Sequence, residues 1–410
     1  MIDPKIFYRE LDSLLAKIGL EKSDDNFFAK IFDELRQRFG ESLKISKGHL
    51  YERRGELFVR VYSQSNDDSD VIAKKLPVVQ DEIRAVLKHG SYIYDQDDHR
   101  PIFKLRSQEP PVIPAAISIQ IAEKHWLLLF ELGAGWIREE ILLFLNAVRT
   151  ALNYKLFSEM MQSEINMAAQ IQKSLLPRNP IQVPGFDIAH FSQPAESVGG
   201  DFYDYYQFED EAFGVCLGDA SGHGLPAALL ARDVVIGLRM GLNKNIRIVR
   251  TIRRLNRVIQ RSTYSTNFMS LFIGEFEDGE NLFYVNAGHP PPLLFSGSKV
   301  TQLKATGIAL GFLPDVSWHR SHMHFKAGDV LVIYSDGIIE RERTSERQYG
   351  MKRLQRQVIQ SCSLSARGIL EAVIQDVYEF GKKKTWADDA SIVVVKRVDN
   401  TDPSKNGEPL

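Results

Sequence analysis

Several aspartates in this sequence stand next to glycine or at the end of an apolar segment. Asp219 and Asp336 each end an apolar run that leads into a glycine-containing turn. Asp388, followed by Asp389, comes directly before the apolar run Ala-Ser-Ile-Val-Val-Val. Asp201 follows two glycines and opens the segment Phe-Tyr-Asp. If the strands are neighbours in a sheet, these carboxylates meet at one edge.

Four carboxylates at one sheet edge would repel each other and could not all stay ionised without a cation beside them. Hard oxygen ligands of this kind select Mg²⁺ or Mn²⁺, with water in the remaining positions. Two such ions about 4 Å apart lower the pKa of a shared water and stabilise displacement at phosphorus. The alternative is structural, because an isolated Asp-Gly at a strand end is usually only a turn.

Read together, these segments resemble the PPM family of metal-dependent serine/threonine phosphatases. The similarity is to its bacterial branch, which contains the stage II sporulation phosphatase and the sigma-factor regulators. It extends over about residues 160–397. The motifs that carry it are Ala169 to Pro177, Ser197 to Asp204, Gly218 to Gly224, Asn286 to Pro292, Tyr334 to Gly337 and Asp388 to Ser391.

The resemblance implies a role for each matching position. Asp219 would bridge two metal ions, and the Ala220 carbonyl and Asp201 would bind the second ion. Asp336 and Asp388 would bind the first ion. The four aspartates are therefore the expected catalytic residues. The full set expected at the metal site is Asp201, Asp219, Ala220, Asp336, Asp388 and Asp389.

The implied reaction is hydrolysis of phosphoserine or phosphothreonine by metal-activated water, without a phosphoenzyme. The implied substrate is a phosphorylated STAS-domain anti-sigma-factor antagonist. A cysteine phosphatase needs Cys-x5-Arg, whereas only four residues separate Cys362 from Arg367. Two alternatives stay open: a non-catalytic sensor that binds partners through the same fold, and a two-metal nuclease. The net charge of −2 and the lack of a basic, aromatic-rich groove disfavour a nucleic-acid partner.

The fold class expected for the whole chain is α+β. Residues 177–398 contain many short β-rich runs with glycine turns and a few grouped helices. This pattern, with the resemblance, predicts an α-β-β-α sandwich phosphatase domain. Residues 399–410 are predicted to be a disordered tail.

The N-terminal part reads as a separate domain. Residues 1–22 show helical apolar spacing, and residues 23–150 follow the order helix, strands, helix, strands. This order resembles a GAF sensory domain, which implies a small ligand or a protein as its partner, of unknown identity. The region has no cysteine, which excludes a thioether-linked bilin. The alternative is a domain that only dimerises.

One long helix is predicted over residues 138–176, between the two domains. Ile141, Leu145, Val148 and Leu152 step by four, three and four residues, which is coiled-coil spacing. After Leu152 the register drifts. We expect a parallel homodimer through this helix, the alternative being a helix that packs on its own domains.

Composition places the chain among soluble globular proteins, with 44% hydrophobic and 25% charged residues. Two cysteines cannot form a disulfide framework, and the N-terminus does not read as a secretory signal. The apolar runs are too short to span a bilayer. We therefore expect a cytoplasmic protein without a membrane partner.

Three weaker signals have two readings each. His289 could protonate the leaving oxygen or fix its proline-rich loop, and His223 could orient a metal-bound water or simply fit its turn. A row of arginines along residues 249–263 could attract an acidic partner or form a solvated helix face.

Overall fold

The computed structural model divides the chain into two compact units, residues 1–163 and residues 164–410. It describes residues 4–21, 26–64, 73–95, 112–208, 212–242, 248–262, 268–344, 347–382 and 385–398. The predicted tail at 399–410 lies outside the described residues. No helix within these ranges is both long and apolar enough to cross a membrane.

The N-terminal unit is built on a six-stranded antiparallel sheet with the strand order β3-β2-β1-β6-β5-β4. Its strands are β1 (Ile45–Arg54), β2 (Leu57–Ser63), β3 (Lys75–Pro77), β4 (Ser91–Ile93), β5 (Ile113–Ile121) and β6 (Lys124–Leu132). Its helices are α1 (Pro4–Leu20), α2 (Phe27–Phe39), α3 (Asp81–His89) and the first part of α4 (Arg138–Leu175).

Both faces of this sheet are covered. Leu128 and Phe130 of β6 pack on one face with the apolar sides of α1, α2 and α4. Leu127 and Leu129 point to the other face, where they pack with Ile83 of α3. Strand residues therefore alternate between two cores, as the two-residue period of a strand requires.

The first part of α4 belongs to the N-terminal core. Leu145, Val148 and Leu152 are at most 1% exposed and pack among residues of α1, α2 and the sheet. The prediction that these three side chains form a dimer seam is therefore wrong. Coiled-coil spacing and a core-facing helix stripe differ by too little over three turns to be separated by sequence. Apart from Leu143, the exposed apolar side chains of α4 come later, at Tyr154, Phe157, Met161, Ile165, Met167 and Ile171.

The C-terminal unit contains two five-stranded antiparallel sheets. The first has the order β14-β11-β10-β9-β8 and the second β13-β12-β15-β18-β7. The strands of the first are β8 (Phe202–Gln207), β9 (Phe213–Ala220), β10 (Met269–Glu277), β11 (Asn281–Ala287) and β14 (Ser321–His324). Those of the second are β7 (Phe186–Gln193), β12 (Leu293–Ser296), β13 (Lys299–Gln302), β15 (Val330–Tyr334) and β18 (Ala390–Arg397).

Three buried clusters hold this unit together. Side chains from both sheets, such as Leu217, Phe272 and Val393, form a shared core. The helices α5 (Leu225–Gly241) and α6 (Ile248–Ser262) pack on the first sheet. The helices α8 (Met351–Ser361) and α9 (Ala366–Gly381) pack on the second sheet. The expectation of a mixed α+β fold is confirmed.

The remaining elements are short. They are the four-residue helix α7 (Asp336–Ile339) and the two-stranded sheet of β16 (Glu342–Thr344) and β17 (Arg347–Gln348). Sequence periodicity did not predict them, because two to four residues are too few to show a period.

Candidate functional site

The predicted site residues lie at the ends of four strands. Phe202 pairs with Gly218 across β8 and β9, which places Asp201 and Asp219 side by side at one end of the first sheet. Tyr334 pairs with Ile392 across β15 and β18, so Asp336 follows one strand where Asp388 and Asp389 precede the other. Antiparallel pairing therefore brings a strand end and a strand start together in each sheet.

Two loops of the first sheet approach at backbone distance. The Ala220 amide donates to the Gly200 carbonyl over 3.3 Å. A Cβ on Gly200 would lie 2.9 Å from the Ala220 carbonyl oxygen, closer than real Cβ contacts allow. Glycine at position 200 is therefore required by space, and it keeps Asp201 next to the Asp219–Ala220 turn.

Ser335 joins the two sheets at this point. Its hydroxyl donates to Asp201 Oδ2 over 2.7 Å and accepts the Ser391 amide over 2.9 Å. The other carboxylate oxygen, Asp201 Oδ1, is buried and has no hydrogen-bond partner among the described residues. A buried acceptor without a partner carries a desolvation cost, which a cation would remove.

Asp389 is held by backbone amides. Its Oδ1 accepts the Ala195 amide over 2.8 Å, and its Oδ2 accepts the Gly200 amide over 2.5 Å. A Cβ on Gly337 would overlap the Asp389 carbonyl oxygen. Asp389, which directly precedes β18, therefore connects this strand to the loop that carries Asp201.

Burial and mutual repulsion raise the pKa values of these carboxyl groups. Burial, followed by the charges of the neighbouring aspartates, raises the pKa of Asp219 to about 9. Burial raises the pKa of Asp201 to about 8, although the Ser335 hydroxyl acts in the opposite direction. Burial and the charge of Asp388 raise the pKa of Asp336, and burial raises that of Asp389. Shifts of this kind mark a cluster of like charges in one place.

The donor set fits a hard divalent cation. It consists of carboxylates and closely approaching carbonyls, with the buried unpartnered oxygen of Asp201 among them. Within the described ranges, no three histidine, cysteine or acidic side chains stand at the spacing of a complete ligand set. Mg²⁺ is usually bound through one or two carboxylates and several waters, so it does not need such a set.

The two histidines have different surroundings. His289 is 2% exposed, its Nδ1 lies 2.8 Å from Ser270 Oγ, and its amide donates to Asn286 Oδ1. Burial lowers its pKa to about 3, so it is neutral at physiological pH. These contacts favour the loop-fixing role. His223 is exposed, and its Nδ1 lies 3.0 Å from Glu196 Oε1.

Sequence reasoning missed two residues that position the site. Ser335 and Gln172 both lie inside motifs that carried the family resemblance, yet neither is an ionisable group. Gln172 exchanges two hydrogen bonds with the backbone of Gly199, two residues before Asp201. The only available signal was their place in these motifs.

Comparison with known proteins agrees with this geometry. Residues 209–398 match the family described as Stage II sporulation protein E (SpoIIE). The chain is 30% identical over 182 residues to "Phosphoserine phosphatase RsbU" of Bacillus subtilis, covering 44% of this chain and 54% of that protein. It is 26% identical over 183 residues to "Phosphoserine phosphatase RsbP" of the same species, covering 43% and 45%. The chain thus spans about half the length of these relatives.

A solved structure shows the same fold. The "SiaA-PP2C domain of Pseudomonas aeruginosa" superposes with a TM-score of 0.53 at 17% identity. The match covers 59% of this chain and 98% of that domain. The C-terminal unit therefore shares the fold of that PP2C domain, and residues 209–398 within it match the SpoIIE family.

Metal binding is testable without any catalytic assay. We expect Mn²⁺ to raise the melting temperature of the full chain, because it neutralises carboxylates that otherwise repel each other. Asp219→Asn should raise the melting temperature in chelator and lose most of the Mn²⁺-dependent increase. Differential scanning fluorimetry measures both, with the exposed Asp315→Asn as the charge-matched control. An equal Mn²⁺ response in both variants would contradict the site.

Proposed function

We propose that this protein is a metal-dependent protein serine phosphatase that hydrolyses phosphoserine or phosphothreonine on a signalling partner. The observation that carries the proposal is the meeting of Asp201, Asp219, Asp336 and Asp388 at the ends of β8, β9, β15 and β18. The family match over the same part of the chain supports it.

The proposed role of the aspartates is to hold two Mn²⁺ or Mg²⁺ ions, with Asp219 shared between them. When bound, such ions supply an activated water and neutralise charge on the phosphoryl group. The Ala220 carbonyl and Asp201 would serve one ion, and Asp336 and Asp388 the other. Asp389, although expected from sequence as a ligand, is better suited to positioning because backbone amides occupy both of its oxygens.

The cysteines do not offer a competing route through a phosphocysteine. Cys216 is fully buried in β9, and burial raises the pKa of its thiol far above physiological pH. Its nearest polar neighbour is the Tyr206 hydroxyl, at 3.4 Å. A buried neutral thiol is a poor nucleophile, so hydrolysis by water is the consistent choice.

The proposed substrate is a phosphoserine on an anti-sigma-factor antagonist of the STAS type. Support comes from the resemblance to the sigma-factor regulators and from two relatives whose names read phosphoserine phosphatase. The same resemblance supports action in the cytoplasm. The alternative is a non-catalytic sensor on the same fold, which the assay below distinguishes.

We assign the N-terminal unit a sensory, GAF-like role. Its six-stranded sheet covered by helices on both faces is consistent with that resemblance. A small ligand or a protein would act on it. The helix α4 starts in this unit and ends in the C-terminal unit, which makes it the proposed transmission element.

Contacts at the end of α4 support a route to the site. Gln172 holds the backbone of Gly199, close to Asp201. Arg239 of α5 donates to the Leu175 carbonyl over 2.6 Å and forms a bidentate pair with the buried Asp204 of β8. A shift in the position of the end of α4 would therefore move β8, the strand that follows Asp201.

The catalytic claim predicts a specific loss. With Mn²⁺ and a phosphorylated STAS-domain protein, the full chain should release phosphate, and thorough chelation should abolish release. Asp219→Asn should lose about 10²-fold or more in rate, because it removes a negative ligand from both ions. Phosphate release is measured directly, and Asp315→Asn is the control. Retained activity in Asp219→Asn would contradict the two-metal mechanism, and an inactive wild type would favour the non-catalytic sensor.

The proposed homodimer has a revised seam. After Leu152 the exposed apolar residues Phe157, Met161 and Ile165 share one side of α4. We expect the double variant Met161→Ser, Ile165→Ser to have about half the wild-type mass by light scattering, because paired apolar side chains drive association. Met167→Ser, more exposed but on another side of the helix, is the control. An unchanged mass in the double variant would exclude this seam.

A further inference from the structure

An open cavity of about 510 Å³ lies at the surface of the N-terminal unit, away from the sheet edge that β3 occupies. Strand β4 pairs with β5 only over residues 115–117, so no strand among the described residues pairs with residues 118–121 of β5 on that side. The end of α3 and the middle of α4 close the space around this free edge. The cavity has the volume of an ordinary small-molecule site.

The lining is cationic. Lys88 at the end of α3 and Arg149 of α4 both border the cavity, with the polar side chains of Ser118, Gln120 and Asn153. No aspartate or glutamate occurs in the described lining. A concave surface with one sign of charge concentrates ligands of the opposite sign.

Arg149 is the most informative of these residues. Its Nε is buried without a hydrogen-bond partner, and no carboxylate pairs with its guanidinium among the residues that the structure describes. The side chain as a whole is only partly buried, so the cost falls on Nε, a donor that is withdrawn from water without an acceptor. The Arg149 guanidinium therefore has no counter-charge among the described residues.

The backbone is shaped to admit this guanidinium. Gly90 ends α3 in the left-handed conformation, with φ 78°, and a Cβ there would overlap Arg149 Cζ. The nearby backbone groups already have partners, because the Gly90 amide bonds to Val86 and the Gly90 carbonyl to the Ser118 amide. The C-terminus of α3 contributes only the negative end of its dipole, worth about half an elementary charge, which attracts the guanidinium and not an anion.

A second polar side chain, His125, lines the same cavity and has a ring nitrogen without a hydrogen-bond partner among the described residues. His125 is 7% exposed, and its Nε2 lies 2.7 Å from Ser118 Oγ. Its Nδ1 is buried and has no partner in the described structure. Burial and the charge of Arg53 lower the pKa of His125, which keeps the ring neutral. When the Ser118 hydroxyl donates to Nε2, the proton resides on Nδ1, and this buried N–H has no acceptor among the described residues.

We propose that Arg149 and His125 form a binding site for a small oxyanion, a phosphate or carboxylate group, in the N-terminal unit. The guanidinium would hold two oxygens in its planar fork, and the imidazole would donate to a third or shared oxygen. The cavity exceeds the volume of one phosphate, so the natural ligand carries a further organic body. That this ligand regulates catalysis rests on the proposed function, whereas the binding itself does not.

The test is titration calorimetry on the full chain in chelator, which removes metal-dependent phosphate binding elsewhere. The probes are inorganic phosphate, phenyl phosphate and benzoate, each up to about 10 mM. Phenyl phosphate and benzoate share a ring and differ in the anionic group, so their comparison separates phosphate from carboxylate recognition. We expect at least one probe to bind, and Arg149→Gln to weaken it by about tenfold or more.

Variants separate binding from folding. Arg149→Lys should keep part of the affinity, because it retains the charge without the fork. His125→Gln provides an independent loss should Arg149→Gln not fold. The exposed Arg84→Gln on α3 is the matched control and should bind like the wild type. Absence of binding by all three probes, or equal affinity in wild type, Arg149→Gln and His125→Gln, overturns the proposal whatever the phosphatase assay shows.

Discussion

The repulsion between buried carboxylates is the constraint on which the C-terminal unit depends. Burial, followed by the negative charges of four neighbouring aspartates, raises the pKa of Asp219. Such a cluster persists only if the surrounding packing holds it in place. The shared core of the two sheets does this, since each fully buried apolar side chain contributes about 1.5–3 kcal/mol. Ser335 and Asp389 then fix the loops through hydrogen bonds across the junction.

The same junction is where the proposed active site meets the end of α4. The loop that carries Asp201 is held at three points: Ser335 donates to the Asp201 carboxylate, Asp389 accepts the Gly200 amide, and Gln172 accepts the Gly199 amide. Gln172 belongs to α4, which starts in the other unit. A regulator that changes the end of α4 would therefore act first on Asp201, whereas Asp219 is held by the pairing of β9 with β10, opposite Ser270.

Sequence predicted the parts of this architecture that have a strong local signal. The long helix predicted over residues 138–176 has nearly its observed bounds, and the apolar runs beside the aspartates are strands, because apolar periodicity and glycine turns define them. It misassigned Leu145, Val148 and Leu152, since a core-facing stripe and a coiled-coil seam look alike over three turns. It could not find Ser335, Gln172 or the pairing partners of Asp389, because these depend on contacts between residues far apart in the chain. The Arg149 cavity was missed for the same reason.

The most direct test of the two-metal account is anomalous diffraction from crystals of the full chain grown with Mn²⁺. The account predicts two anomalous peaks about 4 Å apart, with a carboxylate oxygen of Asp219 on each and Asp201 and Asp336 on opposite sides. A single peak, or two peaks that Asp219 does not share, would contradict it.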